Sequence, residues 1–317
     1  MKMLEGFHWE CMWISILGCV KGCANFLKIP ITNGWLYGIS GYAFVLNIHD
    51  ELCPSSPTAW NMSVIHKLLP NAGLFTNDIF AWQNQPDFKE KQLEAWNFIR
   101  SWIDAGVPVV GWCLDIPEYY VINGYTEEGY IFEGVECSED KKTLPWEKLG
   151  DLEVKLLDVF SVKKTQPAED RIAVKQALQF AIEASSGPEK YFEKGYKGGL
   201  GGYDNWVTAL EQGKANPWGA GYNAACWQEC REFAVEFLKE AKQKLPGLDS
   251  LFDEAITKYE KVSSNLTKVA EAFPFIGLDK EHVKDSVRIQ TAVTALKEAK
   301  TAETAGIEAM KRIIEKL

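Results

Sequence analysis

The chain has 317 residues, 46% of them hydrophobic and 25% charged, the balance of a folded globular protein and not of a disordered or fibrous one. That length exceeds the size at which one core grows efficiently, so two domains are expected. A net charge of −10 with only five Arg leaves no basic face for phosphates, which argues against nucleic acid as a partner.

Trp9, Trp13, Ile16, Leu17, Val20, Ala24 and Leu27 recur at helical spacing and predict a first helix that Pro30 stops. Its apolar stretch Met12 to Cys19 is interrupted by Lys21, well short of the roughly 18 residues a membrane span needs. No membrane partner or targeting segment is therefore expected, and the protein reads as cytoplasmic. Residues 86–105 predict a second helix, opening on Pro86 and closing before Gly106. The run Val107 to Leu114 predicts a buried strand, and residues 119–123 and 130–135 predict a hairpin around the turn Glu127-Glu128-Gly129. Residues 152–162 give one more strand.

The polar, Pro-containing stretch 163–170 marks a boundary, with domains at 1–165 and 166–317. Nine of the twelve Trp precede residue 165, and the last 75 residues have none. Beyond the boundary every periodic segment is helical: 173–184, 204–212, 222–244, 251–273, 280–300 and 302–317. This predicts a helical domain, a surface through which the chain could form a homo-oligomer.

The eight cysteines include no C-x-x-C pair, so no metal centre and no cofactor is expected, and free buried thiols are the default. Glu10-Cys11 stands at the predicted start of the first helix, and residues 36–44 read LYGISGYAF. Gly111-Trp-Cys-Leu-Asp-Ile-Pro-Glu-Tyr-Tyr-Val-Ile-Asn-Gly-Tyr125 places a strand, a polar break and a second strand in succession. Together these segments resemble the papain-like domains of bacteriocin-processing peptidases and the N-terminal domain of the butirosin-pathway acyltransferase. The resemblance implies an α+β fold, a papain-like domain followed by an all-helical one. It implies Cys11 as nucleophile, with Glu118 in the slot of the general-base His. A carboxylate there cannot form the Cys-His ion pair that activates such a thiol.

Asp115 and Glu118 bracket Ile116-Pro117 at a strand end, where ligand groups gather, with Trp112, Tyr119 and Tyr120 as aromatic walls. His49 stands where a strand runs into a loop, and Trp60 closes the rigid segment Cys53-Pro-Ser-Ser-Pro-Thr-Ala-Trp. Asn223 and Trp227 share one helical face, where a polar Asn needs a partner from the other domain or from a ligand. Residues 195–202, GYKGGLGG, lack a phosphate-loop ending, so their Gly are expected to serve backbone geometry, with Asp204 capping the next helix. Two functions stay open. One is acyl transfer or hydrolysis of a small amide- or amine-bearing molecule or short peptide near Cys11 and Glu118; the other is a non-catalytic binding or interaction module with an acidic, aromatic pocket.

Overall fold

A computed structural model describes residues 1–135 and 142–317; Cys137, counted above among the thiols, lies outside the described residues. In chain order the first half holds β1 (Lys2–Met3), α1 (Ser15–Phe26), α2 (Asn33–Ile39), β2 (Asn47–His49), α3 (Ser63–Leu68), β3 (Leu74–Trp82) and α4 (Phe88–Asp104). There follow β4 (Val109–Trp112), β5 (Tyr119–Tyr125), β6 (Gly129–Gly134), β7 (Lys142–Pro145), β8 (Leu156–Lys164), α5 (Asp170–Ser185), β9 (Tyr196–Gly198) and α6 (Leu200–Glu211). Three long helices close the chain: α7 (Pro217–Lys244), α8 (Asp249–Ala272) and α9 (Ser286–Ile314). The class is α+β, with an antiparallel sheet and many helices.

Two compact units divide the chain. One comprises Met1–Ile31 and Gly73–Pro167, the other Thr32–Ala72 and Ala168–Leu317. The last of the three crossings, between Pro167 and Ala168, falls close to the boundary read from sequence; the helical unit, however, also takes residues 32–72, and with them His49 and Trp60.

The sheet unit is built on the order β3-β8-β4-β5-β6-β7, with β1 added to the end of β5. All of its pairings are antiparallel. Strand β8 lies between β3 and β4, which is why its sequence is a nearly unbroken apolar run instead of an alternating one. Helix α4 ends where Gly106 takes φ 75°, and Val107 N–H returns to the Trp102 carbonyl. The chain then enters β4 directly. Trp96 of α4 packs its ring 5.3 Å from Tyr130 and 5.9 Å from Tyr125. Helix α1 starts at Ser15, later than periodicity predicts. Residues 9–14 keep apolar spacing without helical backbone, because Trp9 and Glu10 lie against Gly18, where a Cβ would come within 2.3 Å of the Glu10 carbonyl oxygen.

In the helical unit, α8 and α9 form the most extensive helix pair, and α7 packs on α8 and on α2. The two helices expected over 280–300 and 302–317 are one, because nothing near residue 301 breaks the backbone; Asp285 caps it through the N–H groups of Val287 (2.8 Å) and Arg288 (3.1 Å). Helix α7 begins earlier than predicted, at Pro217, with Asn216 accepting the Gly219 N–H at 2.8 Å. Asp204 is not a cap but lies inside α6. The helix instead starts after Gly199 at φ 58°, where a Cβ would meet the Ser185 carbonyl oxygen at 2.2 Å.

Candidate functional site

The segment Gly111–Tyr125 is a hairpin of β4 and β5 joined by a tight turn in which Cys113 N–H bonds to the Glu118 carbonyl at 2.7 Å. Cys113 itself takes φ 54°, a left-handed conformation costly for a side chain with a Cβ. Asp115, in the same turn, is ion-paired with Lys142. The Glu118 carboxylate is buried and receives the hydroxyl of Ser15, the first residue of α1. Ser15 Oγ in turn accepts the Tyr119 N–H at 3.0 Å. Helix start and strand start are thus latched together by one serine.

Cys11 is exposed and lies in non-helical chain ahead of α1. The helix start that the sequence assigned to Cys11 carries Ser15 instead. Of the other described cysteines, Cys53 is half-buried and Cys19, Cys23, Cys113, Cys226 and Cys230 are buried.

Strand alternation separates two residues expected to wall one pocket. Trp112 is paired with Tyr119, and Tyr120 with Gly111 one residue on, so Trp112 and Tyr120 point to opposite faces of the sheet. Tyr120 lies over Phe132 (ring centroids 5.3 Å) and its hydroxyl accepts the Ile116 N–H at 3.2 Å. Trp112 packs on Tyr119 at 4.9 Å, and its indole N–H is buried without a hydrogen-bond partner.

On this face the pairings also bring Asp158, opposite Phe80, and Phe160, opposite Asp78. Tyr119 donates its hydroxyl to Asp158 Oδ2 at 2.7 Å. Burial pushes the Asp158 carboxyl up to about 6; the Tyr119 hydrogen bond works against this and the nearby Asp78 adds to it. Asp158 is 8% exposed, while Phe80 and Trp82, 6.0 Å apart, stand at the sheet edge 50% and 45% exposed. Phe80, Trp82, Asp158 and Phe160 were not singled out in the sequence. The signal was there: a lone Asp in the apolar run LLDVFSV, and aromatics at alternate positions of a strand.

The remaining expected residues lie in the helical unit, each with its own partners. His49 Nδ1 accepts the Glu51 N–H at 3.1 Å and its ring lies 4.9 Å from Tyr196. Trp60 donates to the Pro57 carbonyl at 3.0 Å. Asn223 donates to the carbonyls of Cys53 (3.1 Å) and Gly219 (2.8 Å) and accepts from Trp227 Nε1 at 3.1 Å. The partner that sequence sought for Asn223 is thus found on its own helix and in the loop before residue 60. An open groove of about 560 Å³ between α8 and α9 is lined by Lys258, Lys261, Thr294 and Lys297 and by none of the expected residues.

No group of three or more potential metal ligands occurs among the described residues, and no helix among them is long and apolar enough to cross a membrane. No family model matches the chain, and neither does any curated protein.

Proposed function

We propose that the sheet unit is a binding module for a small amine- or amide-bearing molecule or a short peptide, taken up on the face that carries Trp112, Tyr119 and Asp158. The observation that carries this reading is the Trp112 indole N–H, buried and without an acceptor beside Tyr119. A buried donor left unmade costs about 1–3 kcal/mol, and the carbonyl of an amide or peptide would satisfy it. Asp158 next to it offers the complementary acceptor for an amine or amide N–H. Kinship of the sheet unit to papain-like domains belongs to the same proposal, supported by the meeting of helix start and strand start at Ser15 and Glu118. The acyl transfer or hydrolysis that this kinship implies has less support, since Cys11 lies outside α1 and Glu118 is engaged by Ser15.

A thermal-shift screen of amines, primary amides, amino acids and short peptides tests binding. A ligand at 100 times its Kd adds about 2.7 kcal/mol to the stability of the folded chain. At least one class is expected to raise the midpoint, and Trp112→Phe, which removes the donor but keeps a ring, to reduce the shift. No shift with any class would reject the reading.

A further inference from the structure

We propose that Asp158 anchors an organic-cation site, seating an alkylammonium head against its carboxylate between the rings of Phe80, Trp112 and Tyr119. This rests on the reading that this face of the sheet binds a ligand, and it names the charged end of that ligand. Asp158 sits on β8, flanked on both sides within the ladder. Phe80 of β3 is directly opposite. On the other side Gly111 pairs with Val159, which sets the next residue, Trp112, beside Asp158 on the same face. Tyr119, opposite Trp112, completes the ring set and holds Oδ2 from below at 2.7 Å.

Among the described residues Asp158 has no ion-pair partner, although it is 8% exposed. A carboxylate withdrawn this far from water is ordinarily matched by a cation. The aromatic surround decides which kind. Hard metal ions take six or more oxygen ligands, and no group of three or more potential ligands stands here among the described residues. Ring faces instead attract weakly hydrated organic cations, the chemistry by which aromatic cages hold quaternary and alkylated ammonium groups. Phe80 and Trp82 stand half-exposed at the sheet edge beside Asp158, and the exposed Asp78 two residues before Phe80 adds negative potential there.

The experiment is a titration of the full chain, at constant ionic strength, with n-butylammonium and tetramethylammonium, and with butyramide as a neutral probe of similar size. Tryptophan fluorescence and calorimetry provide the readouts. Both cations are expected to bind at least tenfold more tightly than butyramide. Asp158→Asn should weaken the cations at least tenfold and butyramide far less, because the Asn carbonyl still accepts an N–H but carries no charge, and Phe80→Ala, at a half-exposed position that does not carry the core, should weaken tetramethylammonium severalfold. Cation affinity unchanged in Asp158→Asn, or butyramide binding as tightly as the cations, would overturn the cation site while leaving ligand binding in place. If none of the three binds, the cation site is overturned on that count alone, and a silent amide and peptide screen in addition would reject the binding reading with it.

Discussion

The two units treat a buried charge in opposite ways. In the helical unit the guanidinium of Arg231, 0% exposed, has a full counter-charge: Nε donates to Glu303 Oε2 at 3.1 Å, Nη1 donates to the carbonyls of Ala43 (3.0 Å) and Val45 (2.7 Å), and Nη2 is ion-paired with Glu303 Oε1 at 2.9 Å. Tyr203 donates its hydroxyl to the same carboxylate. In the sheet unit Asp158 has a tyrosine hydroxyl, and Trp112 beside it has no acceptor. A completed network fixes a fold, here by tying the chain around residues 43–45 to α7 and α9. An incomplete one stores a cost that a ligand can relieve.

The sharpest way to break this comparison is to make the completed network incomplete. Glu303→Ala leaves Arg231 buried without a counter-charge and is expected to cost about 3–5 kcal/mol in denaturant unfolding. Adding Arg231→Met should return much of that loss, because both charges are then gone. A double mutant as unstable as the single one would show that the pair's worth lies in packing instead.

The converse change is expected to stabilise. The folded Asp158 carboxyl, raised from 3.8 to about 6, holds its proton more tightly than the unfolded chain does. Its contribution is thus complete below about pH 4, falls as pH rises from about 4 to about 6, and is level above that. The whole span is at most about 3 kcal/mol. Asp158→Asn should therefore lack this slope and be the more stable protein at pH 7, by up to that amount. Parallel stability curves for the two proteins between pH 4 and 7 would contradict the uncompensated carboxylate.

A smaller effect separates latch from site. Ser15→Ala removes one hydrogen bond from the buried Glu118 carboxylate and one from the Tyr119 N–H, at about 1–3 kcal/mol. Because the role assigned to Ser15 is structural, ligand-induced shifts measured at equal folded fraction should persist in this variant.

Much of the fold was legible where local signals agree. Helix α4 lies within the predicted 86–105 because amphipathic spacing and the Gly106 stop point the same way, and β4, β5 and β6 follow from short apolar runs separated by turn residues. Helix α1 was misplaced at its start because Trp9 and Trp13 have helical spacing without helical backbone. Of the site, the two strands and the carboxylates between them could be read, but not their partners. Glu118 was matched with Cys11 by analogy, whereas packing delivered Ser15. Trp112, Tyr119 and Tyr120 were grouped by proximity in sequence, and only the pairing of β4 with β5 shows that Tyr119 shares Trp112's face while Tyr120 turns to the other.

By itself the sequence determined the α+β class, the helical second half, the two strands and polar break of Gly111–Tyr125, and an acidic chain poor in Arg; these follow from periodicity, turn residues and composition, which act over a few residues or over the whole chain. Tertiary structure alone decided that residues 32–72 join the helices, that Arg231 meets Glu303, and that Asp158, Phe80, Trp112 and Tyr119 stand together. Those outcomes depend on strand register and long-range packing, where shifting a pairing by one residue turns every side chain to the other face.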